Sequence, residues 1–123
     1  MKQTNTKPDH PETNNPWLQR IKEVIEKKLV TGDLTNDVLA LEVGISERHL
    51  FRRMKDLTGY TPQQYIRQYR LEQAMQFLKD GTFRTVKDTA QAVGYINISY
   101  FINQFEKKYG QKPLEVLQER GWR

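Results

Sequence analysis

Cysteine is absent from the 123-residue sequence, and histidine occurs only twice. Without cysteine the chain can form no disulfide, no thiolate metal site and no cysteine nucleophile. His10 and His49 show neither the spacing of metal ligands nor a neighbouring nucleophile, and the chain has no glycine-rich phosphate loop. The sequence therefore predicts a protein that is not an enzyme and that holds no metal ion or cofactor.

Long apolar runs and strand-like patterns are missing as well. No stretch approaches the roughly 18 apolar residues that span a membrane, and no signal peptide is visible. Apolar and polar residues do not alternate over any stretch long enough for a β-strand. These absences predict an all-α protein in the cytoplasm, with no membrane contact by this segment.

What the chain does have is an excess of basic residues, 20 against 15 acidic ones, which gives a formal net charge of +5. Residues 1–16 are polar, contain three prolines and carry no net charge, which predicts a disordered tail or a linker. The excess therefore belongs to the predicted folded domain, residues 17–123. A basic balance of this size indicates either a nucleic-acid or acidic partner or no more than solubility.

A short helical segment is repeated in the folded part. Four residues of the first copy recur 50 positions later, where Thr35, Ala40, Val43 and Gly44 become Thr85, Ala90, Val93 and Gly94. After one inserted residue the correspondence continues, and Ser46, Leu50, Met54, Gly59 and Pro62 match Asn97, Phe101, Phe105, Gly110 and Pro113. Caps match caps and glycines match glycines, which indicates two copies of one structure.

Apolar residues at helical spacing predict seven helices, with capping side chains at Thr35, Ser46, Thr61, Thr85 and Asn97. The helices are expected at residues 17–30, 36–43, 47–57, 62–80, 86–93, 98–109 and 113–119. An added N-terminal helix and the first copy then occupy residues 17–61. A long linker helix occupies residues 62–80, and the second copy occupies residues 81–123.

Each copy contains Ala-x-x-x-Gly followed by a capped helix, which is the arrangement of a helix-turn-helix. Gly44 and Gly94 are expected to take the positive φ that the sharp turn requires. One such pattern occurs often by chance, whereas two with matching caps are a strong signal. The second helix of each copy is therefore the candidate for nucleic-acid recognition.

The second helix of the first copy presents cations on the side opposite its apolar residues. Arg48, Arg52 and Lys55 lie on that side, with Phe51 on the flank. Arginine can bond guanine through two hydrogen bonds in the major groove, and basic side chains also bind phosphates. The other interpretation is a charged face that contacts only solvent.

The corresponding helix of the second copy is less basic. Its outward residues are Ser99, Asn103, Glu106 and Lys107, with Ile98 and Ile102 beside them. Asn103 suits adenine and isoleucine suits a thymine methyl group, whereas Glu106 should lie off the groove floor because it repels phosphate. Lys107 and Lys108 suit backbone phosphates. This copy either reads bases or chiefly positions the protein.

The linker helix sets the predicted distance between the two recognition helices, which are the second helices of the two copies. Its 19 residues span roughly 28 Å, and successive major-groove faces lie about 34 Å apart. The two helices are therefore expected to enter adjacent major grooves, with some bending of the DNA.

Two stretches carry a resemblance to a known family, namely LALEVGISERHLFRRMKDLTGYTPQQYIRQYRLEQAMQFL and TAQAVGYINISYFINQFEKKYGQKP. They resemble the DNA-binding domain of the AraC/XylS family of bacterial transcription regulators. The resemblance implies seven helices, two helix-turn-helix units, sequence-specific binding of double-stranded DNA and RNA polymerase as a partner. It places base contacts on Arg48, Phe51, Arg52, Ile98, Ser99, Ile102 and Asn103. Backbone contacts are predicted for Arg53, Lys55, Lys107 and Lys108.

The N-terminal helix most resembles output domains of hybrid two-component sensors or response regulators. In that case residues 1–16 would tether an upstream sensor or receiver domain, and the protein would associate with the nucleoid. Arg70 matches a linker-helix arginine of the family and is interpreted as structural, paired with an acid. The sequence departs from the family pattern at Asn103, Ile98, Ile102 and Lys112, where basic, polar and small hydroxyl residues are common.

Two other functions fit the same helices. The domain could package DNA without sequence preference, or it could be a helical protein-interaction module. Binding through several cations weakens steeply as the salt concentration rises, which distinguishes DNA binding from protein interaction.

Overall fold

The computed structural model describes residues 15–31 and 34–119 and contains there seven α-helices and one 3₁₀ turn. The helices are α1 (Pro16–Lys27), α2 (Asn36–Val43), α3 (Glu47–Thr58), α4 (Pro62–Asp80), α5 (Val86–Ala92), α6 (Ile98–Tyr109) and α7 (Pro113–Glu119). The 3₁₀ turn covers Leu29–Thr31, between α1 and α2. The described residues form no β-strand, so the predicted all-α class is confirmed.

The first helix is shorter than the sequence predicts. It begins one residue early, because the side chain of Asn15 accepts a hydrogen bond from the Leu18 N–H at 3.0 Å and Pro16 fits the first helical position. It ends at Lys27, since Lys28 leaves helical geometry with φ −105° and ψ 15°. The predicted disorder of residues 1–14 lies outside the described residues.

The chain forms two compact units. In the described residues, the first unit consists of α1, α2, α3 and the start of α4 as far as Ile66. The second unit consists of the 3₁₀ turn, α4 from Arg67 onward, α5, α6 and α7. The predicted linker helix is thus a single helix whose residues are shared between the units.

The core of the first unit comes from all of its helices. Its fully or nearly fully buried side chains include Leu18, Ile21, Ile25, Leu39, Ala40, Leu50, Met54 and Ile66. Small Ala40 is 3% exposed, which is in keeping with close packing between helices at this position. Leu50 and Met54 lie on the same side of α3, which leaves the opposite side of that helix to solvent.

Four aromatic side chains form a row, the aromatic row, along one side of α6 in the second unit. Ring contacts run from Tyr95 to Phe101 at 5.1 Å, on to Phe105 at 5.8 Å and finally to Tyr109 at 4.7 Å between centroids. Such pairs add about 0.5–1.5 kcal/mol each beyond the burial of their area. They fix α6 through one side and leave its other side accessible.

A buried arginine holds three segments of the second unit together. Arg70 is 7% exposed, and its Nη1 donates to the carbonyl oxygens of Leu29 at 2.5 Å and Val93 at 2.6 Å. The predicted structural role of Arg70 is confirmed, and its pairing with an acid stays a prediction. Gly94 has φ +92°, and a Cβ there would overlap both the Arg70 guanidinium and the Leu29 carbonyl.

Side-chain caps follow the predictions in four places out of five. Ser46, Thr61, Thr85 and Asn97 each accept a hydrogen bond from the backbone N–H three residues on. Thr35 occupies the N-cap position of α2 without such a bond, because its hydroxyl donates to the carboxylate of Asp37. At Lys112 the backbone N–H donates to Glu115 at 2.6 Å, which supplies half of a capping box without a hydroxyl residue.

Within residues 15–31 and 34–119, none of the helices combines the length and the apolar character needed to cross a membrane.

Candidate nucleic-acid interface

Two turns of the same construction present α3 and α6. In the first unit Gly44 N–H donates to Leu41 O at 3.2 Å, and the next N–H along the chain donates to Ala40 O at 3.1 Å. The second unit repeats this with Gly94 and Tyr95, whose N–H groups donate to Gln91 O at 3.0 Å and Ala90 O at 2.9 Å. Both glycines have positive φ, +74° and +92°. Each unit is therefore a helix-turn-helix whose second helix follows the glycine turn.

The exposed side of α3 gathers the residues predicted to contact bases in the first unit. Arg48, Arg52 and Lys55 are exposed, and Phe51 keeps 47% of its surface accessible. With Asn36, Glu47 and Asp56 they line an open concavity of about 690 Å³. The site thus combines three cations and one apolar ring with two carboxylates, and its cations and ring suit phosphates, guanine edges and thymine methyl groups.

Arg53 has a partner that sequence reasoning did not find. Its guanidinium carbon lies 4.5 Å from the ring centroid of Trp17 on α1, and the side chain is half-buried. A cation over an indole ring contributes about 0.5–2 kcal/mol, so Arg53 joins α3 to α1. The in-plane N–H groups of a stacked guanidinium can still donate to a phosphate. The predicted backbone contact of Arg53 stays a prediction.

The first half of the exposed side of α6, residues 98–103, is uncharged and partly apolar. Ser99 and Asn103 are exposed, whereas Ile98 and Ile102 are half-buried on the flank. Tyr100 keeps 48% of its surface accessible. The structure therefore exposes Ser99 and Asn103 on the side of α6 away from Phe101 and Phe105, and it places Ile98 and Ile102 on the flank next to that buried side.

Lys107 and Lys108 form part of a basic groove, which is lined by Arg67, Gln68, Leu71, Gln104, Lys107 and Lys108. It holds about 360 Å³, and no carboxylate lines it. Lys108 Nζ donates to the side-chain amide oxygen of Gln68 and lies 5.4 Å from the ring centroid of Tyr109. Sequence reasoning missed Arg67 here, since only the packing of α4 beside α6 brings it to the two lysines.

The tyrosine next to these lysines stays uncharged near neutral pH. Burial raises the pKa of Tyr109 to about 12, and the nearby carboxylate of Glu72 adds to the shift. A neutral Tyr109 puts no negative charge beside Lys107 and Lys108. Burial also raises the pKa of Tyr95, whose hydroxyl has no hydrogen-bond partner within the described ranges.

Comparison with known proteins agrees with this geometry. A family profile described as a helix-turn-helix domain matches residues 39–119, which is more than half of the chain. The crystal structure of a probable AraC family transcriptional regulator from Rhodopseudomonas palustris superposes with a TM-score of 0.69 and 30% identity, over 84% of this chain and 95% of that one. The chain belongs to the AraC/XylS family of helix-turn-helix proteins.

Two further relatives show where this AraC-type domain occurs. The chain is 37% identical over 105 residues to the bifunctional transcriptional activator/DNA repair enzyme AdaA of Bacillus subtilis, covering 85% of this chain and 49% of that protein. The chain thus spans about half the length of that relative. The C-terminal domain of the two-component response regulator yesN from Fusobacterium nucleatum superposes with a TM-score of 0.71 and 27% identity, over 80% of this chain and 95% of that domain.

Proposed function

We propose that this AraC-type domain binds double-stranded DNA sequence-specifically and regulates transcription, with α3 and α6 entering adjacent major grooves. The observation that carries the proposal is the pair of helix-turn-helix units, each exposing one side of its second helix while the other side is locked into a core. Arginine, asparagine, serine and apolar side chains on those surfaces suit recognition, and we assign binding to the chain and no catalysis.

In this proposal the two helices read different bases. Arg48 and Arg52 of α3 bond guanine, and Phe51 packs against a thymine methyl group. On α6, Asn103 pairs with adenine, Ser99 bonds a neighbouring base edge, and Ile98 and Ile102 contact thymine methyl groups. Arg53 and Lys55 hold phosphates beside α3, and Lys107 and Lys108 hold one beside α6, where Arg67 of the basic groove adds a third cation.

The partners we propose are DNA, RNA polymerase and a sensor or receiver domain belonging to the same two-component system. Likeness to the C-terminal domain of a response regulator supports the last of these. Relatives named as transcriptional activators support contact with the polymerase. A domain with these partners works in the cytoplasm, at the nucleoid.

The test is selection of bound duplexes from a random pool, followed by sequencing. We expect two short enriched blocks about one helical turn apart, one for each second helix. A single block would show that one helix reads bases and the other grips the backbone. No enriched block would overturn the proposal and favour a DNA packager or a protein-interaction module.

Arg52 is the residue whose loss should change the selected sequence. We expect Arg52→Ala to weaken binding to the selected site by about 1–3 kcal/mol and to relax the block read by α3. Lys27→Ala removes an exposed cation from α1 and serves as the matched control, which should keep the wild-type motif. The same motif and affinity in a folded Arg52→Ala protein would remove Arg52 from the reading set.

A further inference from the structure

Ile96 is the most exposed of the large apolar side chains in the described residues. It keeps 86% of its surface accessible, compared with 47% for Phe51 and 48% for Tyr100. It stands in the turn of the second unit, two residues before α6 begins at Ile98. Single exposed apolar residues are common on protein surfaces, so the exposure of Ile96 alone does not indicate a function. Its position in the turn does.

Ile96 is an inserted residue just before α6, the second helix of the second helix-turn-helix unit. In the first unit Ile45 is followed directly by the capping residue Ser46, whereas in the second Ile96 separates Tyr95 from the capping residue Asn97. Both neighbours of Ile96 are engaged within the unit. Tyr95 is buried in the aromatic row, and Asn97 accepts a hydrogen bond from Tyr100 N–H at 2.9 Å. Ile96 is exposed like Asn97, but its apolar side chain has no such role in the fold of the unit.

The surroundings of Ile96 differ in chemistry from the matching place in the first unit. The half-buried Ile98 and Ile102 and the exposed Tyr100 follow it on α6. The corresponding residues of α3 are Glu47, His49 and Phe51. Positions 98 and 100 near the start of α6 therefore carry an apolar and an aromatic side chain, where α3 has the charged or polar Glu47 and His49.

We propose that Ile96 reads a thymine methyl group, and that the DNA block bound by α6 contains a thymine for this reason. In helix-turn-helix proteins the N-terminal end of the second helix contacts base edges. The C5 methyl group of thymine is the apolar group that a base pair offers in the major groove. This inference rests on the proposed function, adds a residue outside the predicted base contacts, and names the chemistry that the second unit recognises.

Deoxyuridine tests the contact atom by atom, because it keeps the hydrogen-bonding groups of thymine and lacks only the methyl group. Each thymine in the α6 block of the selected site is replaced singly by deoxyuridine, and the dissociation constants of wild type and Ile96→Ala are measured. At one thymine we expect uracil to weaken wild-type binding about four-fold, the effect of one buried methyl group. Ile96→Ala should bind the uracil and thymine sites about equally well.

Leu41→Ala is the matched control, because Leu41 is 81% exposed but lies on α2 of the first unit. It should respond to uracil as the wild type does. A melting temperature of Ile96→Ala equal to that of the wild type would show that the exposed substitution leaves the fold intact. Ile96→Val, which keeps a branched side chain, should retain most of the methyl effect.

If Ile96→Ala and the uracil substitution weaken binding independently, the inference is overturned, since coupling between protein and DNA substitutions is the sign of a contact. Full wild-type affinity of Ile96→Ala would overturn it as well. These results differ from failure of the proposed function, which would show earlier as the absence of any selected site.

Discussion

At the scale of single residues, the two turn glycines match in the sequence repeat but differ in the space available for a side chain. Gly44 and Gly94 match in the repeat, and both have positive φ. A Cβ at Gly44 would meet no atom within 4 Å, whereas a Cβ at Gly94 would overlap Arg70 and the Leu29 carbonyl. Conformation alone constrains the first glycine, and conformation and space together constrain the second.

This difference predicts unequal losses of stability. We expect Gly44→Ala to lower the free energy of unfolding by about 1–2 kcal/mol, the cost of a left-handed backbone for a residue with a Cβ. Gly94→Ala should lower it by about 3 kcal/mol or more, because the buried Arg70 charge also loses its carbonyl partners. Urea denaturation of the two variants measures both values. Equal losses would mean that Arg70 moves aside without penalty.

The sequence predicts the roles of these residues better than their partners. Glycine in a turn already indicates positive φ, and the match of Arg70 to a linker-helix arginine of the family implies a structural cation. The acceptors of Arg70 are backbone carbonyls at positions 29 and 93, which carry no side-chain signature. Only the folded chain brings them to the guanidinium.

At the scale of elements, the helix starts fall into two kinds. Ser46 caps α3 by accepting a hydrogen bond from His49 N–H at 3.1 Å. Thr35 stands before α2 with its hydroxyl engaged by Asp37, and this bond lowers the pKa of that carboxyl. Cap chemistry therefore stabilises the start of α3 more than the start of α2.

Removing each cap should reveal the difference. We expect Ser46→Ala to lower the free energy of unfolding by about 1 kcal/mol, because an N–H at the start of α3 loses its acceptor. Thr35→Ala should cost only a few tenths of that, since the lost hydroxyl satisfies no helix N–H. Thermal or urea unfolding at neutral pH checks both variants. A loss for Thr35→Ala as large as that for Ser46→Ala would contradict the assignment.

Periodicity predicts helix faces well and helix ends less well. Leu50 and Met54 fix the buried side of α3, so the cations on its other side follow from geometry. Leu29 continues the apolar spacing of α1 and is buried, yet it belongs to the 3₁₀ turn and to the second unit. An apolar residue at helical spacing looks the same whether it extends a helix or packs elsewhere. The spacing alone therefore predicts the wrong end for α1.

At the scale of the whole molecule, the net charge of +5 is the property that DNA would sense first. Lys107 is exposed at the basic groove and is a proposed phosphate contact. We expect Lys107→Gln to make the slope of log K against log salt shallower by about one, with the sequence preference unchanged. Fluorescence anisotropy at several salt concentrations measures the slope.

The control for Lys107 is an exposed lysine that belongs to neither of the two second helices. Lys79 lies in the last turn of α4, and Lys79→Gln makes the same charge change. It should leave the slope at the wild-type value. If Lys107→Gln leaves the slope unaltered, Lys107 does not contact a phosphate.

The second unit draws one of its parts from far upstream, because the 3₁₀ turn Leu29–Thr31 interrupts the first unit between α1 and α2. The turn supplies the carbonyl that Arg70 bonds, 41 positions away in the chain. A recombinant regulator made by cutting within α4 would therefore pair the second unit of one protein with the 3₁₀ turn of another. Chimeras that swap DNA preference between relatives should carry residues 29–31 together with residues 67–119. The part of the chain to exchange is thus encoded by two separate stretches of the gene.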